Sequence, residues 1–166
     1  MPSRRDVLTT ISACAAGGAL AGCSALAAVG GYVEKKQITG TRRQNGGLRD
    51  ETVVSVELSE LADDPVVSVA ERWVQRFPDP KRLRISETFD DRLRDEYESL
   101  GYVVGVCSPD WSSGSDSVGC YTAPTGRDDF NRAQVGDRVR ASYSNSKIRI
   151  RSNEGTWVAS GRKKRT

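Results

Sequence analysis

The stretch VRASYSNSKIRIR, residues 139–151, decides the fold because apolar and polar residues alternate on both sides of its centre, so that its two halves can pair with each other. If Asn145-Ser146 forms a tight turn, the flanking residues pair as an antiparallel β-hairpin. The predicted pairs are Tyr143 with Ile148, Ala141 with Ile150, Ser142 with Arg149, and Arg140 with Arg151. A shift of one residue would bury arginine side chains, so the alternation itself specifies the register. The sequence therefore predicts a hairpin with one apolar and one basic face.

The basic face of this hairpin is the strongest candidate binding surface in the sequence. It consists of Arg138, Arg140, Lys147, Arg149 and Arg151. Clustered cations indicate recognition of a polyanion, here an anionic surface glycan, an acidic lipid headgroup or an acidic protein partner. The alternative is an arginine-rich face that is solvated and binds nothing. The predicted Arg140–Arg151 pair is repulsive unless water or an anion separates the two charges.

Upstream of the hairpin, further strands are predicted at residues 32–38, 52–58 and 102–107. The first two form a hairpin around Asn45-Gly46-Gly47, and the third is a continuous apolar run typical of a central strand. A second turn at Glu154-Gly155 is expected to bring Trp157 opposite Ser152. The predicted fold class is α+β or mainly β: a small antiparallel sheet or partly open barrel with one or two packed helices.

One longer helix and one segment of either helix or strand are predicted between the strands, and Asp128 to Ala133 is expected to form one helical turn. Residues 66–77 place apolar side chains at helical spacing after Asp64-Pro65, but their valines favour a strand, so both remain open. The longer helix has an apolar stripe from Phe89 to Leu100. Thr88 is its predicted N-cap, Gly101 its C-terminal glycine, and Asp90 with Arg94 an i,i+4 ion pair.

The N-terminus has the three parts of an export signal. Arg4 and Arg5 precede an uncharged run of small residues, which ends in Leu20-Ala21-Gly22-Cys23. This leader, and no other part of the chain, resembles that of a twin-arginine-exported lipoprotein precursor of the halophilic-archaeal type, although Val7 and Thr9 depart from the pattern. The resemblance implies export of folded cargo, cleavage before Cys23 and lipid attachment to the Cys23 thiol.

The expected organisation follows from that resemblance. Residues 1–22 are the signal peptide, 23–31 the lipidated cysteine and a flexible tether, 32–161 a single extracytoplasmic domain, and 162–166 a basic tail. The expected location is the outer face of the cell membrane, with membrane lipid contacted through the anchor. Because no charge occurs between Asp6 and Glu34, a single uncleaved transmembrane anchor is the alternative, and full secretion is a third.

Composition restricts the classes of function. Removing residues 1–22 discards two arginines and one aspartate, so the net charge of +3 becomes +2 (3 − 2 + 1). Bulk charge therefore gives no reason to expect nucleic acid as a partner. Cys107 and Cys120 remain as an even pair, which predicts a disulfide in an oxidising compartment. Two free thiols, or a zinc site without histidine, are the alternatives.

Other candidate sites are few. Trp111 lies in the Ser/Gly/Asp-rich loop between the two cysteines, either as an interface anchor or folded back over the loop. Asp110 and Asp116 lack the EF-hand spacing, so no metal is predicted. The absence of histidine excludes Ser-His and Cys-His nucleophiles, and no cofactor motif is present. We expect a non-enzymatic surface binding module; a structural envelope component, or an accessory subunit of a transporter or exported enzyme, is the alternative.

Overall fold

The computed structural model describes residues 27–59 and 64–156 as a mainly β domain. Its strands form one antiparallel sheet. They are β1 (Val29–Gln44), β2 (Gly47–Glu57), β3 (Val66–Val69), β4 (Ser99–Ser108), β5 (Gly119–Thr125), β6 (Asp137–Ser144) and β7 (Lys147–Thr156). The helices are α1 (Glu87–Glu96) and α2 (Arg127–Arg132), with 3-10 turns at Glu71–Arg76, Pro80–Arg82 and Pro109–Trp111. The predicted fold class is confirmed.

Strand β1 organises the sheet because it pairs with three other strands. Its first residues, from Val29 to Tyr32, pair with β6, and residues 35–44 pair with β2 along the same edge. Its other edge pairs with β4 over Tyr32 to Thr41, interrupted by an irregularity between Val33 and Lys35. An extra residue of this kind bends a strand and increases its twist. Because of this bend, β1 can pair with β6 at its start and with β2 farther along.

Strands β1, β4, β5, β6 and β7 form a curved, open part of the sheet, called the barrel below, whose two end strands approach each other without pairing within the residues described. β4 pairs with β5, β6 pairs with β7, and β5 lies against β7 without strand pairing in the described chain. Helix α2 packs against β4 and β7, and its Phe130 is fully buried with its ring centroid 5.1 Å from that of Tyr102. Buried side chains from the barrel strands complete this core: Val33, Val104, Val106, Ala123, Val139, Ala141, Ile148 and Ile150.

The segment between β2 and β4 builds a second layer over the β1–β2 hairpin. Its core is aromatic: the Phe89 ring lies 5.8 Å from that of Trp73 and 5.4 Å from that of Phe77, both edge-on. Asn131 of α2 joins this layer to the barrel, because its side-chain amide bonds both the backbone N–H and the carbonyl of Ile85, each at 2.8 Å. The two halves therefore form one packed unit.

The predicted C-terminal hairpin is present, and part of its register is corrected. Tyr143 pairs with Ile148 and Ala141 with Ile150 as predicted, around a turn in which Asn145 and Ser146 have positive φ angles of 50° and 57°. An irregularity between Arg140 and Ala141 then shifts the register, so Arg140 pairs with Ser152 and not with Arg151. The second turn is wrong: β7 continues through Glu154-Gly155, and Thr156 pairs with Asp137. Trp157 lies outside the described residues.

The β1–β2 hairpin and its Asn45-Gly46 turn are confirmed, but β1 is longer than predicted and includes Val29–Gly31, which the sequence placed in the tether. Of the two alternatives left open for residues 66–77, the strand holds for residues 66–69, which form β3 and pair with Val54 to Glu57 of β2. The run of valines favours this extended conformation. A short 3-10 helix follows at Glu71–Arg76.

Helix α1 is confirmed, with different ends. Its N-cap is Ser86, whose hydroxyl accepts a hydrogen bond from the Phe89 N–H at 3.2 Å, and not Thr88. The helix ends before Leu100 and Gly101, which belong to β4. The predicted ion pair is present, with Arg94 Nε 2.9 Å from Asp90 Oδ2. The twin-arginine motif, the lipobox at Leu20 to Cys23 and the basic tail lie outside the described residues.

Candidate functional site: a basic hairpin face

The β6–β7 hairpin presents all five predicted basic side chains to solvent. Alternate residues of each strand point to the core, so Val139, Ile148 and Ile150 are buried while their neighbours are exposed. The exposed cations are Arg138, Arg140, Lys147, Arg149 and Arg151. The geometry thus places the five candidates on the same hairpin, as the alternation predicts.

These five cations lack carboxylate partners within residues 27–59 and 64–156. Arg140 donates to the carbonyl oxygen of Ala28, and the other four have no ion pair there. Elsewhere in the described chain several arginines pair with acids, as in Arg43 with Glu98 at 2.9 Å. The hairpin therefore carries five cations without ion pairs in the described chain, against two carboxylates of its own, Asp137 and Glu154. Such a surface raises the local concentration of anions, and salt weakens the effect.

The corrected register removes the repulsive Arg140–Arg151 pair that the sequence predicted on this face. With Arg140 opposite Ser152, and Arg149 opposite Ser142, no two arginines face each other in the paired part of the hairpin. Cross-strand repulsion between like charges is therefore avoided. The cations can stay close together without a bound anion, so the surface is preformed.

Two shallow grooves border the basic face. Arg138 lines a groove of about 330 Å³, whose other walls include Tyr32, Pro109 and Val118. Lys147 and Arg149 line a second groove of about 310 Å³, beside Pro124 and Thr125 of β5. Each groove places cations next to apolar or backbone surface, and each also contains one carboxylate, Glu154 in the first and Asp129 in the second. An extended ligand lying on the hairpin could thus make both ionic and apolar contacts.

Trp111 is half-buried and belongs to an aromatic cluster that the sequence did not predict. Its ring contacts that of Tyr121 edge-on, with centroids 5.2 Å apart. Tyr121 in turn stacks on Tyr143, with centroids 4.4 Å apart and the rings within 7° of parallel. Tyr121 is 41% exposed, so the cluster keeps one accessible aromatic surface. Tyr121 and Tyr143 are far apart in sequence, and only the approach of β5 to the hairpin brings them together.

The predicted disulfide is present between Cys107 and Cys120, which lie directly opposite on β4 and β5. It closes the loop that carries Trp111. Gly119 is required at the end of this loop, because a β-carbon there would collide with the Trp111 carbonyl oxygen. Glu34 is a further neighbour that the sequence did not reveal: its Oε2 lies 3.2 Å from Cys107 Sγ.

Lys36 is a buried lysine that the sequence did not mark as a candidate residue. Its side chain is 1% exposed, and its Nζ donates to the carbonyl oxygens of Leu83 and Ala133, each at 2.7 Å. Nζ also lies 4.2 Å from the centroid of the Phe130 ring. Burial, together with the nearby charge of Arg84, lowers the pKa of Lys36 to about 7, and Asp137 opposes the change. These contacts enclose the amine, so its role is to join segments of the fold.

A second polar network surrounds Tyr97 at the edge of the aromatic layer. The Tyr97 hydroxyl accepts from Trp73 Nε1 at 2.9 Å and donates to Glu51 Oε2 at 2.8 Å. Arg72 Nη2 lies 3.2 Å from the same Glu51 oxygen. Burial raises the pKa of Tyr97, and its hydrogen bond with Arg72 opposes that change. Each group is engaged with another, as expected of a structural network.

No helix in the described part of the chain has the length and apolar character needed to cross a bilayer. Compared with known proteins, the chain matches no protein-family model, and it has no significant match to a curated protein or a solved structure.

Proposed function

We propose that this chain is an exported, lipid-anchored domain that binds an acidic ligand at the cell surface through the basic face of the β6–β7 hairpin. The observation that carries the proposal is the group of five exposed cations without carboxylate partners in the described chain. The leader and the lipobox at Cys23 support the location. No catalytic step is part of this proposal.

The arrangement of the cations favours an anionic surface glycan over a compact acidic ligand. Lys147 and Arg149 occupy alternate positions of one strand, so their backbone positions lie about 7 Å apart, and Arg151 follows at the irregularity of the same strand. A row of charges along one strand suits an extended polymer with several acidic groups. An acidic protein partner is the competing outcome of the test.

The test compares two triple variants that change the net charge equally. In the first, Arg140, Arg149 and Arg151 are replaced by Ser. In the matched control, Arg49, Arg76 and Arg92 are replaced by Ser; these are exposed arginines outside the hairpin and have no ion pairs in the described chain. Retention on a sulfated polysaccharide column and on glycans from the host cell surface is measured against salt concentration.

We expect the hairpin variant to elute at much lower salt than the wild type and the control variant to elute close to the wild type. An equal loss of retention in both variants would mean that only the net charge of the protein determines binding, and the proposal would fail. Retention on the protein fraction of the surface, with none on glycans, would identify an acidic protein as the ligand. The anchor is tested separately: membrane-extracted protein should have the mass of the chain from Cys23 plus lipid.

A further inference from the structure

Three side chains with metal-ligating atoms converge beside the loop that carries Trp111. Glu34, Cys107 and Cys120 each offer one ligand atom, and the three atoms lie within 4.8 Å of one another. They come from three adjacent strands, β1, β4 and β5. The cluster is separate from the basic hairpin face and has no role in the proposed function.

The orientation of the Glu34 side chain is not explained by an ion pair in the described chain. Glu34 lies at the irregularity of β1 between Val33 and Lys35, and its carboxylate contacts Cys107 Sγ at 3.2 Å. Within residues 27–59 and 64–156 this carboxylate has no basic partner, although the next residue, Lys35, pairs with Glu57 at 3.1 Å. A carboxylate directed at a sulfur pair is an unusual neighbour for a purely structural disulfide.

We propose that reduction of the Cys107–Cys120 disulfide converts this cluster into a site for a thiophilic divalent cation such as Zn²⁺. Two thiolates and one carboxylate supply three of the four ligands that tetrahedral zinc requires, and water supplies the fourth. Without a metal, three adjacent acidic groups repel one another when ionised, and a divalent cation removes that repulsion. In the oxidised protein the Cys107–Cys120 disulfide joins the same two sulfur atoms.

The redox step begins at Cys120, because that residue is exposed whereas Cys107 is 1% exposed. The thiolate of a small-molecule thiol attacks Cys120 Sγ, the S–S bond breaks, and Cys107 leaves as a thiolate. A second thiol then attacks the mixed disulfide and releases the Cys120 thiolate. The two external thiols supply two electrons and become a disulfide, and their two protons pass to the protein thiolates until the metal displaces them.

The sheet keeps the ligands together after reduction. Cys107 and Cys120 are flanked by the strand pairs Val106–Tyr121 and Ser108–Gly119, which do not depend on the disulfide. The pairing of Val33 with Val106 likewise fixes the neighbouring strand that carries Glu34. Ligands that project from paired strands are held more accurately than ligands on loops. The metal would therefore bind a largely preformed site.

The test uses the full-length protein in detergent, reduced with a phosphine, freed of reductant without oxygen, and titrated with Co²⁺. Thiolate-to-cobalt charge-transfer absorption reports cysteine ligation, and Zn²⁺ should abolish it by displacement. We expect one Co²⁺ per reduced chain at this site and none in the oxidised protein. The Cys107→Ser/Cys120→Ser variant measures the background from the other cysteines, Cys14 and Cys23, wherever the leader has not been removed.

Glu34→Gln should weaken binding by roughly tenfold or more, because the amide no longer supplies an anionic ligand. Glu57→Gln is the matched control, since that carboxylate pairs with Lys35 outside the cluster. The proposal fails if the reduced wild type shows no charge-transfer band, or if the double cysteine variant binds equally. It also fails if Glu34→Gln binds as tightly as the wild type, or if circular dichroism shows that reduction unfolds the sheet.

Discussion

The Nζ of Lys36 lies 2.7 Å from the carbonyl oxygen of Ala133, a residue 97 positions further along the chain. The same Nζ bonds the carbonyl of Leu83 at 2.7 Å. Lys36 therefore joins β1, the layer between β2 and β4, and the segment after α2. Three acceptors surround this amine, since Gln134 Oε1 lies at 3.2 Å. A protonated lysine has three N–H donors to satisfy them.

This contact predicts an unusual dependence of stability on pH. The pKa of Lys36 is about 7 in the folded protein, against about 10.4 for an unperturbed lysine. Between these values the unfolded chain binds more protons, so the free energy of unfolding should rise with pH, by at most about 1.4 kcal/mol per pH unit. Urea unfolding at pH 7, 8 and 9 should show this rise in the wild type.

The control for this prediction is the adjacent lysine. Lys36→Met should remove the rise between pH 7 and 9, whereas Lys35→Met should keep it, because Lys35 is solvated and paired with Glu57. Identical pH slopes in the wild type and Lys36→Met would show that the amine has the same proton affinity in both states.

The N-cap of α1 provides a second prediction. Ser86→Ala should lower the free energy of unfolding by about 1 kcal/mol, because the hydroxyl satisfies the N–H of Phe89. Thr88→Ala should change it much less, since Thr88 is exposed within the first turn. Denaturant unfolding of the two variants distinguishes them, and a larger loss in Thr88→Ala would contradict the assigned cap.

The aromatic layer gives a third prediction. Tyr97→Phe removes the acceptor of the Trp73 N–H and the donor to Glu51. Because Trp73 is only 8% exposed, its unpaired N–H should lower the free energy of unfolding by about 1–3 kcal/mol. Thermal or urea unfolding measures this loss. Tyr121→Phe, at an exposed tyrosine, should cause little change; a similar loss there would point to a general effect of removing a hydroxyl.

Asn131 gives a fourth prediction. Asn131→Ala breaks both hydrogen bonds to the backbone of Ile85, which hold the second layer against α2. Loss of two such bonds should lower stability by about 1–3 kcal/mol. Amide hydrogen exchange should also become faster at Ile85 than in the wild type. Unchanged exchange at that amide would mean that the contact does not limit local opening.

Local patterns were sufficient to predict part of this fold. The alternation around Asn145-Ser146 predicts the hairpin and the pairs nearest its turn, because register there depends on adjacent residues. Farther from the turn, the irregularity at Arg140 shifts the pairing, and nothing in the alternation marks it. Val66–Val69 forms a strand because an edge of β2 is available, which is a tertiary cause.

The candidate sites divide in the same way. The exposed basic face follows from strand periodicity, and the disulfide from an even pair of cysteines. Glu34, Lys36 and the stacking of Tyr121 on Tyr143 depend on which strands become neighbours. Because lysine is charged, Lys36 would be expected at the surface. Its position between the buried residues Val33 and Ile38 on β1 indicates burial instead.

The pairing of β1 with β6 has a consequence for the order of folding. β1 is synthesised before the other strands, and its first residues stay without their partner until residues 138–141 have left the ribosome. The barrel core can therefore close only late in synthesis, and contacts so distant in sequence form slowly. Folding of this domain is expected to follow translation, and the twin-arginine route proposed here would then receive the chain after its barrel has closed.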